Sequence, residues 1–134
     1  MKEYHRNYRI KHYEELKCNR RIYEKKRRLT DPKFRLDKSM KSAVRDSLKG
    51  LKFGRRWESL VGYTLENLVK HLESKFDEKM IWHNYCSYWE IDHIKPISSF
   101  KYKTAEENSF RECWGLENLR PLEKLENRIK SNKY

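Results

Sequence analysis

The chain has 134 residues, 39% of them charged, with a formal net charge of +12 and a pI of about 9.6. That length suits one small domain with an appendage, and the surplus of Lys and Arg points to a polyanionic partner, a nucleic acid or an acidic membrane surface. No apolar run approaches the ~20 residues of a membrane span and no signal-peptide core opens the chain, so a soluble cytoplasmic protein without a membrane role is expected. Cys18, Cys86 and Cys113 are odd in number and far apart, which leaves neither a disulfide framework nor a Cys-x-x-Cys zinc clip.

Residues 1–29 hold no Gly or Pro and read as one long basic helix. Tyr4, Tyr8, Ile10, Tyr13, Leu16 and Tyr23 fall near helical spacing, while Lys17, Arg20, Arg21, Lys25, Lys26, Arg27 and Arg28 crowd its second half. Such a helix is either a solvated arm or one that tracks a phosphate backbone, each cation displacing a counterion, and the sign of the charge favours the backbone. The tyrosines also fit the seam of a homodimer. Asp31 and Pro32 then supply an N-cap and a first helical residue. Phe34, Leu36, Met40, Val44 and Leu48 form the apolar stripe of the helix that follows, with Gly50 as its stop. Residues 51–56 make a basic loop in which Lys52, Arg55 and Arg56 are the DNA-contact candidates. Thr64 opens a further helix, with Leu65, Leu68, Val69 and Leu72 on one face and an end near Phe76; Trp57 and Leu60 should pack on it. The chain thus divides into an arm (1–30), a helical DNA-contacting segment (31–76) and a C-terminal core (77–134).

From Met80 onward aromatic residues are dense, and in a small domain that area is mainly core. Tyr88-Trp89-Glu90-Ile91-Asp92-His93-Ile94-Lys95-Pro96 reads as a strand stopped by proline. Thr104-Ala105-Glu106-Glu107 matches a capping box, which predicts a helix of about ten residues in the connection that follows. Leu116–Leu122 reads as a second strand, again ended by proline, and Leu125–Lys133 as a short basic helix. Asp92 and His93 lie on the first strand, Asn118 on the second and Asn127 on the helix, with Asn118 and Asn127 nine residues apart.

This layout resembles the HNH endonucleases, whose shared site is the ββα-metal motif, in an H-N-N variant with His93, Asn118 and Asn127 at the signature positions. The Asn127-Arg128-Ile129-Lys130-Ser131 run is similar to one in the HNH domain of RNA-guided CRISPR nucleases, and residues 54–76 look like the segment that precedes the core in small phage-type members. The resemblance implies an α+β fold, mostly helical, with a C-terminal nuclease core. It implies metal-dependent cleavage or nicking of DNA; a catalytically inactive nucleic-acid-binding relative and an RNA-directed nuclease are the alternatives.

The chemistry assigns roles within that resemblance. Phosphodiester hydrolysis needs an activated water, neutralised phosphate charge and help for the departing 3′ oxygen. Imidazole titrates near neutrality and suits the first task, which makes His93 the general base. A hard divalent cation suits the other two and takes oxygen ligands, here Asp92 and Asn127. Because an amide oxygen stands where many relatives carry His, Mg²⁺ or Mn²⁺ is expected over Zn²⁺ or Ni²⁺. No structural zinc is expected. Asn118 would hold the hairpin around His93, or be a turn asparagine. Arg55, Arg56, Lys95, Arg128 and Lys130 are the residues expected to meet phosphates. Neighbours on a strand point to opposite faces, so a local bend or bulge at Asp92 and His93 is expected if both serve one site. His5, His12, His71 and His83 read as surface or packing residues, His83 being the one nearest the motif. DNA is the expected partner; a homodimer and phage packaging or replication partners are compatible with it.

Overall fold

A computed structural model describes residues 1–131 and 133, and the chain divides into two compact units, Met1–Arg35 and Leu36–Tyr134. The fold is α+β and mostly helical, with one two-stranded antiparallel sheet among the described residues.

The first unit contains α1 (Lys2–Lys11) and α2 (Tyr13–Thr30). The single helix expected over residues 1–29 is therefore broken at His12, which sits at φ −108°, ψ 18°. Helical bonds still pass across the break, from His12 N–H to Tyr8 O (3.0 Å) and from Leu16 N–H to His12 O (2.9 Å), so the break is a kink. The His12 ring lies 4.3 Å from that of Tyr8, and its Nδ1 is 3.2 Å from Glu15 Oε2. An aromatic neighbour on one side and an acid on the other hold the side chain at this bend. No residue of α1 or α2 is buried. Residues 1–35 nevertheless hold 13 of the 32 Lys and Arg and only 5 of the 20 Asp and Glu, and so carry +8 of the net +12.

Helix α3 (Pro32–Ser47) starts as the sequence requires, with Asp31 Oδ1 accepting the Phe34 N–H at 3.1 Å. Leu36, Met40 and Val44 on α3 join Trp57 and Leu60 of α4 (Trp57–Val61) and Leu68, Val69 and Leu72 of α5 (Leu65–Glu73). Trp89, Phe110, Cys113, Trp114 and Leu119 from the C-terminal half complete the same core. The segments that the sequence separates near residue 76 thus share one interior. Gly62 ends α4 at φ 85°, a left-handed conformation open to glycine without a Cβ clash. Thr64 caps α5 through a reciprocal box with Asn67, and α5 stops at Glu73, short of Phe76. The Phe76 ring packs instead beside Trp89, at 4.9 Å.

Strand β1 (Trp89–His93) pairs with β2 (Leu119–Glu123) in a one-to-one register from Trp89 opposite Glu123 to His93 opposite Leu119. Residues 116–118 form a 3-10 turn, so β2 begins later than expected and Pro121 lies inside the strand, where it was expected to end it. The ladder explains its tolerance. Ile94 N–H bonds Asn118 O and Lys124 N–H bonds Tyr88 O, both at 2.8 Å, which makes the even-numbered residues of β1 the hydrogen-bonded pairs. Pro121 faces Ile91 in a non-bonded pair, where its missing N–H removes no ladder bond.

The connection also differs from expectation. Glu107 Oε2 does reach back to the Thr104 N–H (2.8 Å), but it bonds the Lys103 N–H as well and closes a turn. The helix starts only after it, as α6 (Asn108–Trp114). Helix α7 (Lys124–Lys130) follows β2 directly. No helix among the described residues is long and apolar enough to cross a membrane.

Candidate active site

The hairpin has two unlike faces, set by the alternation of side chains along each strand. Odd positions of β1 face the core: Trp89 is fully buried, and the His93 ring stands edge-on to Trp114 at 4.5 Å. Even positions face α7. Glu90 Oε1 accepts from Asn127 Nδ2 at 2.8 Å, and Asp92 Oδ1 accepts from Lys130 Nζ at 3.1 Å. Arg120, opposite Asp92 in the register, donates Nε to the other carboxylate oxygen at 2.9 Å. Of the bend or bulge expected there, the bulge is absent, since the register runs unbroken through both residues. Asp92 and His93 still line one hollow of about 210 Å³ with Asn127, Lys130 and Ser131, because they stand at the end of β1, where the chain turns out of the ladder through Pro96.

Asp92 is buried, with 5% of its surface exposed. A lone carboxylate there would be costly, and Arg120 with Lys130 supplies two positive charges against it. Lys130 also donates to the His93 carbonyl at 2.9 Å, and its side chain is only 14% exposed. Expected as a surface phosphate contact, Lys130 is instead part of the site, where it bonds both Asp92 and His93 of β1. The reason is helical geometry: Asn127 and Lys130 are three residues apart, so both project from the same side of α7 toward the hairpin.

Asp92 and Asn127 are oxygen donors lining one hollow, the kind of ligand a hard divalent ion takes. Glu90 can only accept hydrogen bonds when ionised, so it takes the NH₂ of Asn127 and leaves the amide oxygen as the free donor atom. These are the donor types a Mg²⁺-type ion takes, and both Asp92 oxygens already accept from cations, Oδ1 from Lys130 and Oδ2 from Arg120. Among the described residues no group of three or more His, Cys, Asp or Glu is placed to hold a metal, so such an ion would draw its other ligands from water and substrate.

His93 Nε2 is buried and has no hydrogen-bond partner among the described residues. Burial pushes the His93 pKa down to about 4; Asp92 pulls it up and Lys130 pushes it further down. The ring is thus neutral at neutral pH. Asn118 secures the segment just beyond it. Its Oδ1 accepts the Lys95 N–H (2.8 Å), while its Nδ2 donates to Lys95 O (3.1 Å) and Cys113 O (2.9 Å). One amide ties the end of β1 to the end of α6.

The remaining sequence candidates are spread more widely. Lys95 is exposed, its ammonium 4.8 Å from the Phe100 ring centroid, and Arg128 is exposed on α7. Arg55 is bonded to Glu106 and to the Lys52 carbonyl, and the largely exposed Arg56 to Glu58. His71 Nε2 lies 2.8 Å from Leu119 O and His83 is exposed on a 3-10 turn, so neither joins the hollow. Sequence reasoning missed Glu90 and Arg120. Glu90 was accessible, since it shares the strand parity of Asp92; Arg120 required the register.

No family model and no solved structure matches the chain. Two uncharacterized proteins of Acanthamoeba polyphaga mimivirus do. One is 36% identical over 110 residues, covering 82% of this chain and 48% of that protein. The other is 28% identical over 100 residues, covering 75% of this chain and 43% of that protein. The chain spans about half the length, or slightly less, of these curated relatives.

Proposed function

We propose that this protein is a metal-dependent endonuclease of the HNH type that hydrolyses phosphodiester bonds in DNA. The observation that carries the reading is the hairpin and helix of β1, β2 and α7, which gather Asp92, His93 and Asn127 around one hollow while Asn118 pins the exit of β1. A divalent ion held by Asp92 and Asn127 would supply neutralising charge at the phosphate and at the departing 3′ oxygen. His93, neutral and held edge-on by Trp114, takes the proton of the attacking water as the water oxygen bonds to phosphorus. The bond from phosphorus to the 3′ oxygen breaks and that oxygen takes a proton from solvent water, leaving a 5′-phosphate and a 3′-hydroxyl. Glu90 orients the Asn127 amide, and Arg120 holds Asp92 in place. Lys130, tethered to both Asp92 and His93, stands where it can pass from the carboxylate to an incoming phosphate. The basic arm of residues 1–35 supplies sequence-independent affinity for the backbone. We place this activity in the cytoplasm of a host cell.

The test is a time course on supercoiled plasmid with Mg²⁺ and with EDTA. Open circles should form first and only with Mg²⁺, since one site cuts one strand per encounter. Undiminished cleavage in EDTA would remove the metal, and with it the reading.

A further inference from the structure

Away from the candidate active site, Lys52 is the one buried charged side chain among the described residues. It is only 9% exposed, yet no ion pair or side-chain hydrogen bond among those residues holds it. The charges that act on it, from Lys41 and Arg45, are of its own sign. Burial first, then the charges of Lys41 and Arg45, keeps its pKa below the ordinary lysine value. The stem of Lys52 is covered while its ammonium opens on a hollow shared with other cations, so an anion bound there would offset their mutual repulsion.

The surroundings of Lys52 form a site for one. It lines a hollow of about 240 Å³ between α3 and the loop before α4, together with Lys38, Lys41, Arg55 and Arg56. The one carboxylate on that wall, Asp37, accepts the Trp57 indole N–H at 2.8 Å. The loop itself is tightly wound. Lys49 and Phe53 have positive φ (51° and 55°), as do Gly50 and Gly54 (85° and 70°), a conformation that non-glycine residues hold only where their surroundings impose it. Arg55 fixes the loop from within by bonding the Lys52 carbonyl at 3.1 Å, and reaches across to Glu106. Phe53 is left 75% exposed at its tip.

We propose that this hollow is a seat for a backbone phosphate of the nucleic acid, with Lys52 as its floor and Lys41 and Arg56 at its rim. The proposal rests on the reading of the protein as one that acts on DNA. It assigns to the loop a defined anchoring point, separate from the cleavage hollow, that fixes where the strand lies on the second unit.

The experiment uses the full chain, inorganic phosphate as the probe and Lys52→Met as the variant. Thermal unfolding is followed in phosphate and in chloride at equal ionic strength, and duplex DNA binding is followed in EDTA over a range of salt. Wild-type protein should melt higher in phosphate than in chloride. Lys52→Met should lose the phosphate-specific rise and bind DNA more weakly with a salt slope shallower by about 0.9. Lys41→Gln, at an exposed position where folding is not at risk, should also reduce the phosphate response and the slope. The exposed Lys70→Gln on α5, outside the hollow, should leave the phosphate response unchanged. Equal melting of wild type in phosphate and chloride, or an unchanged slope in both Lys52→Met and Lys41→Gln, would overturn the seat. Lys52-dependent binding to phosphatidylglycerol vesicles with none to DNA would overturn the nucleic-acid assignment. A wild type that responds to phosphate but never cleaves DNA would end the nuclease reading and leave the seat standing.

Discussion

The two units divide charge and burial unequally. Residues 1–35 carry +8 of the net +12, and their helices α1 and α2 bury nothing. Residues 36–134 carry the remaining +4 and contain the residues of the hydrophobic core, together with the hollow that joins Asp92, His93 and Asn127. Affinity for a polyanion needs only cations on a scaffold, and a helix without a core provides that. Positioning a base against a metal seat to within a fraction of an ångström needs a packed interior. Substitutions in one unit should therefore shift quantities that substitutions in the other leave alone.

The largest contrast is in stability. Asp92→Ala removes the partner of two cations, one of them nearly buried, and should destabilise the metal-free protein by on the order of 3 kcal/mol. Glu14→Ala, on the exposed surface of α2, should change it by less than about 0.5 kcal/mol. Chemical denaturation of both variants checks this, and equal losses would break the division.

A pH titration of stability sharpens it. The pKa of His93 is lower in the folded state than in the unfolded chain, so the unfolded state takes up its proton first as pH falls. The contribution is fully present above about pH 6.5 and is lost as pH falls toward about 4. His93→Gln should flatten that part of the curve.

Glu90→Ala comes next. Loss of the acceptor that orients Asn127 should weaken Mn²⁺ binding by about 10–100-fold, the usual range for partners behind a metal ligand. Asn127→Asp has two equivalent oxygens and needs no orientation, so it should recover binding in the Glu90→Ala background. Titration by electron paramagnetic resonance measures both. A double variant as weak as Glu90→Ala alone would make Glu90 something other than a positioning residue.

The smallest effect per residue belongs to the arm. Replacing Lys25, Lys26, Arg27 and Arg28 with Gln should make the salt dependence of DNA binding shallower, by about 0.9 for each phosphate that is no longer neutralised. Melting temperature should hardly move.

How legible all this was in the sequence follows the same division. Where signals are local they succeeded: Asp31 and Thr64 are N-caps, β1 covers Trp89–His93, and Leu36, Met40 and Val44 are buried on one face of α3. The parts that failed depend on partners distant in the chain. Lys130 reads as one more cation on a basic helix until α7 is laid against β1. Arg120 meets Asp92 only through the register, and Pro121 is tolerated inside β2 only because of which pairs carry the ladder bonds. The kink at His12 was invisible because no Gly or Pro marks it. A bend or bulge was inferred from alternation on a flat strand; the hollow sits at the strand's end, where the chain leaves the ladder and no bulge is needed.

The most direct test of the central claim is to measure cleavage and binding side by side in His93→Ala. Removing the general base should lower the Mg²⁺-dependent nicking rate by about 10²–10⁴-fold. The affinity for uncut DNA, measured in EDTA, should stay within a few-fold of wild type, because the arm and the basic loop proposed to carry it are untouched. A variant that nicks plasmid at the wild-type rate, or that loses binding in proportion to cleavage, would contradict the assignment of His93 and with it the nuclease site.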